Sequence, residues 1–173
     1  MSLLDSIQVY ENFLEPDNLE RIKFDINNSA WSTTGCTDDT EERAIRFLRQ
    51  DTYQDNFYSV FLLNKIKKRT NKNLDWALQP FPYFNGQAFG QDASIHYDGL
   101  GKDEFTFLLY CTEKYEPSMG GFTLFKEGDK EVVVLPKYNR GVFFRGSLLH
   151  KAFTFSRVEH PLRVSLAFKL KLI

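Results

Sequence analysis

The hydrophobic period of this chain changes near residue 74, from helical spacing to strict alternation. Before it, Leu19, Ile22 and Ile26 recur at helical intervals, with Phe24 as an extra. Pro16 sits where a helix can begin, because its missing N–H is not needed there, so the spacing predicts a helix over about 16–27. Residues 7–13 read as a short strand and its exit. A second helix is expected to start at Asp51, with Gln54 in capping-box position, and to end near Thr70 and Asn71. Its apolar residues form two rows, Phe57, Val60 and Phe61 with Asn64, and Tyr58, Leu62 and Ile66, a broad face that should pack on a sheet. From Leu74 the period is two: Leu74, Trp76 and Leu78 alternate with polar or small residues. Pro80 and Pro82 bar that segment from a central strand. Phe105–Cys111, Phe122–Phe125, Glu131–Leu135 and Gly141–Arg145 read as further strands. The last run alternates cleanly. Val164, Leu166, Phe168, Leu170 and Leu172 take one face; Arg163, Ser165, Ala167, Lys169 and Lys171 take the other.

Two helices followed by about seven or eight short strands indicate an α+β fold with one antiparallel sandwich or barrel. The helices, within about 14–71, are expected to buttress a β core over about 74–172. Residues 30–44, polar and turn-rich, are expected to form a long loop, a candidate lid. The length of 173 residues suits a single domain, 1–173.

Composition narrows the function classes. Seventeen Phe and eight Tyr suit a β-rich core of large side chains. The net charge of −1 leaves no nucleic-acid footprint. The densest basic run, Lys65, Lys67, Lys68 and Arg69, falls at a helix end, where cations are favourable. With no apolar run of spanning length and no secretory leader, the expectation is a soluble, cytoplasmic protein with no membrane partner. Cys36 and Cys111 are expected to be free thiols. Oligomeric state is not legible.

The chemistry centres on His96-Tyr97-Asp98. Side chains at i and i+2 of an extended chain point the same way, so His96 and Asp98 can reach one ion. A third ligand candidate, His150, follows Gly146-Ser147-Leu148-Leu149. Two histidines and one carboxylate, with other coordination positions open, suit a non-heme Fe(II) that activates oxygen. The remaining histidine, His160, reads as a loop residue.

The H-x-D pair, the distant His150, the late Arg163-Val164-Ser165 and the intervening Gly120-Gly121-Phe122-Thr123-Leu124-Phe125 together resemble the 2-oxoglutarate/Fe(II)-dependent oxygenases, nearest the prolyl 4-hydroxylase-like branch. The resemblance covers roughly residues 83–170. It implies a double-stranded β-helix, the jelly-roll form, with His96, Asp98 and His150 as the catalytic metal ligands. It also implies Fe(II), 2-oxoglutarate and O2, with ascorbate admitted, and hydroxylation of a substrate C–H with release of succinate and CO2. Arg163 becomes the clamp for the distal carboxylate of 2-oxoglutarate, because a guanidinium binds a carboxylate through two parallel N–H···O contacts. Ser165 shares its strand face. Tyr110 matches a position whose tyrosine reaches the cosubstrate, and Tyr83 is a second candidate. Asp98 speaks against the halogenating relatives, where this carboxylate is replaced by a small residue. The interval from His150 to Arg163 is longer than the family norm and implies an extended loop at 153–161. The substrate class is left as a peptide, a prolyl side chain included, or a small molecule, with Trp76, Tyr97, Arg145 and Lys151 as candidates for the mouth. Two alternatives stay open: a cupin-like metal dioxygenase without 2-oxoglutarate, and a non-catalytic jelly-roll binding module.

Overall fold

The computed structural model describes residues 6–35, 45–52, 55–77 and 81–173. Among them are eleven strands: β1 (Ile7–Tyr10), β2 (Ser32–Gly35), β3 (Phe47–Asp51), β4 (Leu74–Trp76), β5 (Tyr83–Gln87), β6 (Glu104–Tyr110), β7 (Thr123–Glu127), β8 (Lys130–Val134), β9 (Gly141–Arg145), β10 (Leu149–Ala152) and β11 (Arg163–Leu172). The helices are α1 (Pro16–Asn28) and α2 (Leu63–Thr70), the latter entered through a π-helical turn, Phe57–Leu62. Eight strands form the major sheet, in the order β1-β9-β6-β11-β5-β3-β2 with β4 also pairing β11; β10-β7-β8 form the minor sheet. Every strand pair is antiparallel.

The alternation along β6 and β11 decides the layering. Phe105, Phe107 and Leu109 join Val164, Leu166, Phe168 and Leu170 on the outer face of the major sheet, where Ile22 of α1 and Tyr58, Leu62, Leu63 and Ile66 of the second helical segment cover them. Burying these apolar faces on each other is what attaches the helices to the sheet. The inner face packs on the minor sheet through Ile7, Tyr110, Phe125, Val134, Val142, Phe144 and Leu148. That core fills one end of the sandwich, and the other end stays hollow.

Several expectations need correction. Ser32–Gly35, read as loop, is strand β2, paired with β3; residues 36–44 of the expected loop and lid lie outside the described residues. Asp51 does not open the second helix. It ends β3 and pairs with the Arg49 guanidinium at 2.8 Å. Asp55 takes the capping role, its Oδ1 accepting the Phe57 N–H at 2.8 Å; Gln54 lies outside the described residues. Of the two apolar rows, Tyr58, Leu62 and Ile66 are buried, whereas Val60 and Phe61 are half exposed. The π turn adds a residue to the first turn and rotates the second row inward. Strands β3, β5 and β10 were not among the expected ones. Their runs are short and mixed in polarity, so their strand state comes from pairing rather than pattern.

Candidate metal centre

The hollow end of the sandwich is a cavity of about 330 Å³ lined from both sheets. His150 reaches it from β10 and His96 from the segment that crosses beside β10. The two histidines are direct cross-chain partners: His96 N–H donates to His150 O at 2.9 Å and His150 N–H to His96 O at 3.0 Å. Asp98 is held by its own N–H on Gly146 O at 2.9 Å. Upstream, the Ala93 N–H donates to Ala152 O. Asp92 accepts the Thr154 N–H and hydroxyl at 2.8 and 2.9 Å. The segment carrying His96 and Asp98 is therefore stitched to β10 along its length.

Each imidazole Nδ1 lies on the carbonyl two residues earlier, His96 on Ser94 O at 2.8 Å and His150 on Leu148 O at 2.9 Å. A carbonyl only accepts, so both Nδ1 atoms carry the proton and both Nε2 lone pairs are left for a ligand. They converge on Asp98: His96 Nε2 is 3.4 Å from Oδ1 and His150 Nε2 is 3.4 Å from Oδ2. The three ligand atoms lie within 4.8 Å of one another. Cis ligands of an octahedral ion with bonds of about 2.1 Å sit about 3 Å apart. The two His–Asp separations are near that spacing, and a small inward movement of the imidazoles would bring all three onto one face of such an ion. The carbonyls behind the imidazoles are the usual orienting partners of metal-bound histidine.

Asp98 is also held by Thr106, whose hydroxyl donates to Oδ2 at 2.6 Å, and by the Lys169 ammonium, which contacts Oδ2. Burial pushes the Asp98 carboxyl up, but Lys169 and the two histidines pull it further down, well below the usual carboxylate range. It is a permanent anion, as a metal ligand must be. Burial likewise lowers Lys169, while Tyr83 and Asp98 raise it by more, so its ammonium stays charged.

Arg163 lies at the other end of the cavity, buried at 1% exposure. Its Nε donates to Gly121 O at 2.8 Å, Nη1 to Gln87 Oε1 at 2.9 Å and Nη2 to Thr123 Oγ1 at 3.0 Å. A guanidinium has five N–H groups, so one remains on each terminal nitrogen, the pair a carboxylate needs. Burial pulls the Arg163 pKa down, with Tyr110 and Asp92 opposing; an arginine starts high enough to stay charged. Gly121 has φ 71°, and a Cβ there would lie 2.5 Å from the Phe155 ring, so only glycine allows this carbonyl to face Arg163.

The cavity thus gathers His96, Asp98, His150, Arg163, Ser165 and Tyr83. Tyr110 lies behind the wall, its hydroxyl on Thr123 Oγ1 at 2.7 Å, so it touches Arg163's support rather than the cavity. Of the mouth candidates, Tyr97 lines the opening. Trp76 instead stacks on Phe168 at 6.0 Å, Lys151 sits over the Phe153 ring, and Arg145 is exposed away from the cavity. His160 packs edge-on against Phe155 in the loop before β11. That loop is long, as the spacing implies, and is tied down by Phe153 N–H on Phe122 O and Ser156 N–H on Met119 O. Cys111 is buried; Cys36 lies outside the described residues. Sequence reasoning passed over Gln87, Thr123, Thr106 and Lys169 as site residues. Lys169 alone had a signal, its place on the Arg163 face of β11.

No family model and no curated protein matches the chain. Solved structures do. A Pseudomonas putida prolyl-4-hydroxylase superposes with a TM-score of 0.67 at 17% identity, over 97% of this chain and 93% of that one. The chain has the fold of these oxygenases. A Trichoplax adhaerens prolyl hydroxylase in complex with a hypoxia inducible factor peptide fragment gives 0.73 at 13%, over 96% and 83%. HygX from Streptomyces hygroscopicus, with nickel, 2-oxoglutarate and hygromycin B bound, gives 0.71 at 11%, over 96% and 83%. The two-sheet architecture is therefore the double-stranded β-helix of 2-oxoglutarate/Fe(II) oxygenase structures. No helix among the described residues is long and apolar enough to cross a membrane.

Proposed function

We propose that the protein is a 2-oxoglutarate- and Fe(II)-dependent dioxygenase that hydroxylates a substrate C–H bond, the whole chain serving as one catalytic domain. The observation that carries this reading is one cavity with a two-histidine, one-carboxylate face at one end and a buried arginine with two spare N–H groups at the other. His96, Asp98 and His150 would hold Fe(II), leaving positions open for the cosubstrate and O2. Bound there, Fe(II) with 2-oxoglutarate and O2 supplies the oxidising power that yields succinate, CO2 and a hydroxylated product.

The protein's own contribution is placement. Arg163 takes the distal carboxylate of 2-oxoglutarate in a two-pronged contact, and Ser165, next on the same strand face, stands beside it. Gln87, Thr123 and the Gly121 carbonyl keep the guanidinium in one orientation, with Tyr110 holding Thr123 in turn. Ser94 O and Leu148 O fix the histidine tautomers. Thr106 and Lys169 fix the Asp98 carboxylate. Arg163 also weighs against a metal dioxygenase without 2-oxoglutarate, and against a mere binding module, since neither needs a buried arginine aligned with a metal face.

The substrate classes admitted are a peptide, a prolyl side chain included, as the Trichoplax enzyme's peptide complex suggests, and a small molecule, as HygX suggests. The test is Fe(II)- and O2-dependent succinate formation from 2-oxoglutarate by the purified protein, first without any substrate. Wild type should form succinate slowly, and Asp98→Ala should suppress it. Equal rates in the two proteins, or none in the wild type, would overturn the reading.

A further inference from the structure

The cavity holds a second polar cluster, of which the proposed chemistry uses only Lys169, as a support for Asp98. It lies on the major sheet at the end away from Arg163 and consists of Lys169 on β11, Tyr83 and Asn85 on β5, and Arg49 on β3. Register places it. Gln87 pairs with Arg163, whereas Asn85 pairs with Ser165 on one side and Arg49 on the other, and Tyr83 pairs with Ala167. Lys169 is six residues along β11 from Arg163, about 20 Å of strand.

Among the described residues, three cations line the cavity, Arg49, Arg163 and Lys169, against one carboxylate, Asp98. Two of the cations have counter-charges of their own. Asp51 holds Arg49, whose guanidinium lies 3.9 Å over the Tyr83 ring. Arg163 meets the distal carboxylate of 2-oxoglutarate in the reading above, on which this inference rests. Among the described residues Lys169 has Asp98 as its one counter-charge, and that carboxylate together with the near carboxylate of the cosubstrate offsets the divalent ion. One buried positive charge is left over, on a side chain 14% exposed. An uncompensated buried ammonium is costly, so the site favours an anion beside it. Asn85 adds an independent sign of an absent ligand: its Oδ1 is buried with no hydrogen-bond partner, although such groups are nearly always paired.

We infer that the substrate is a small, free carboxylic acid bearing an N–H or O–H donor, its carboxylate taken by Lys169 beside the Tyr83 hydroxyl and its donor by Asn85. Free amino acids are the simplest members of the class. One leftover positive charge matches a single carboxylate rather than a phosphate dianion. An internal residue of a peptide fits poorly, because its carboxyl is spent in an amide. The cavity volume of about 330 Å³, at the small end for ligand sites, also has to hold the cosubstrate.

The experiment is calorimetric titration of the protein loaded with Mn(II) and 2-oxoglutarate, a redox-silent complex. The probes are the free L-amino acids and, in parallel, their carboxamides. At least one acid should bind about 10- to 150-fold more tightly than its amide, the range for one charge-assisted hydrogen bond. Lys169→Met should erase that difference, and Lys169→Arg should keep part of it. Asn85→Leu should weaken the acid and spare the acid-to-amide ratio. Mn(II) affinity is measured for each variant first, so that any loss of the support Lys169 gives Asp98 is read separately from the acid-to-amide ratio. Equal affinities of acid and amide, no binding of any acid, or tighter binding of an end-capped peptide would overturn the inference. So would weaker Mn(II) binding in Lys169→Met with the acid-to-amide ratio intact, which would make Lys169 a support for Asp98 alone. Failure of the dioxygenase reading itself is separate, since it shows in the loading step as absent Mn(II) or 2-oxoglutarate binding.

Discussion

Arg163→Lys is the most informative single change, because it keeps the charge and removes the geometry. The wild-type guanidinium satisfies three acceptors, Gly121 O, Gln87 Oε1 and Thr123 Oγ1, at 2.8, 2.9 and 3.0 Å. One ammonium nitrogen cannot span them, and replacing one contact leaves two buried acceptors unmet. Each costs about 1–3 kcal/mol, so the variant should lose about 2–6 kcal/mol of the about 5–15 kcal/mol typical of a domain. It should remain folded at low temperature, and urea denaturation would measure the loss. The cosubstrate meanwhile loses one of two charge-assisted contacts, about 1.5–3 kcal/mol, or about 10- to 150-fold in affinity. Titrating the Mn(II)-loaded protein with 2-oxoglutarate reads this directly. Pyruvate, which lacks the distal carboxylate, should be unaffected. In succinate formation the half-saturating 2-oxoglutarate concentration should rise with little change in the maximal rate, since the clamp acts in binding and not at the bond that breaks. A folded variant with unchanged 2-oxoglutarate affinity, or one that loses 2-oxoglutarate and pyruvate equally, would refute the assignment.

Further expectations follow from the same geometry. Gly121→Ala forces φ 71° on an alanine and drives its Cβ to 2.5 Å from the Phe155 ring, so it should cost about 1–3 kcal/mol and weaken 2-oxoglutarate binding by moving Arg163's acceptor; unchanged stability and affinity would show that the turn is not under this constraint. Burial pushes the Cys111 thiol up to about 12, so in native protein it should resist a thiol reagent at neutral pH while denatured protein reacts. A folded pKa raised above the unfolded value means that the thiol's contribution to stability is complete below the unfolded pKa and is lost as pH rises through about 9–12; Cys111→Ala should flatten that alkaline decline, and an unaltered decline would refute the cause. Leu166, fully buried under the helices, should lose about 2–5 kcal/mol on Leu166→Ala, read by the same denaturation.

How much of this was legible in the residues differs from element to element. The alternation of β11 displayed both faces, since the polar set Arg163, Ser165, Ala167 and Lys169 lines the cavity and the apolar set faces the helices. Helix α1 was visible in its spacing and its leading proline. The strands β2, β3, β5 and β10 were not, because their short mixed runs become strands only through partners far along the chain. The same holds within the site. His96, Asp98 and His150 stood out because few residue types suit a metal. Gln87, Thr123 and Thr106 did not, because an uncharged polar side chain in a strand has no meaning until its cross-strand neighbour is known.

The sequence by itself determined the class of fold, the layering of the last strand and the candidate ligands, all of which follow from periodicity and donor chemistry that a local stretch carries. Only the tertiary structure decided that His96 pairs directly with His150, that the buried Arg163 keeps two donors spare, and that Lys169 stands beside Asp98 at the opposite end of the floor. Those relations depend on register between strands distant in sequence, and a shift of one residue would turn each side chain to the other face of its sheet.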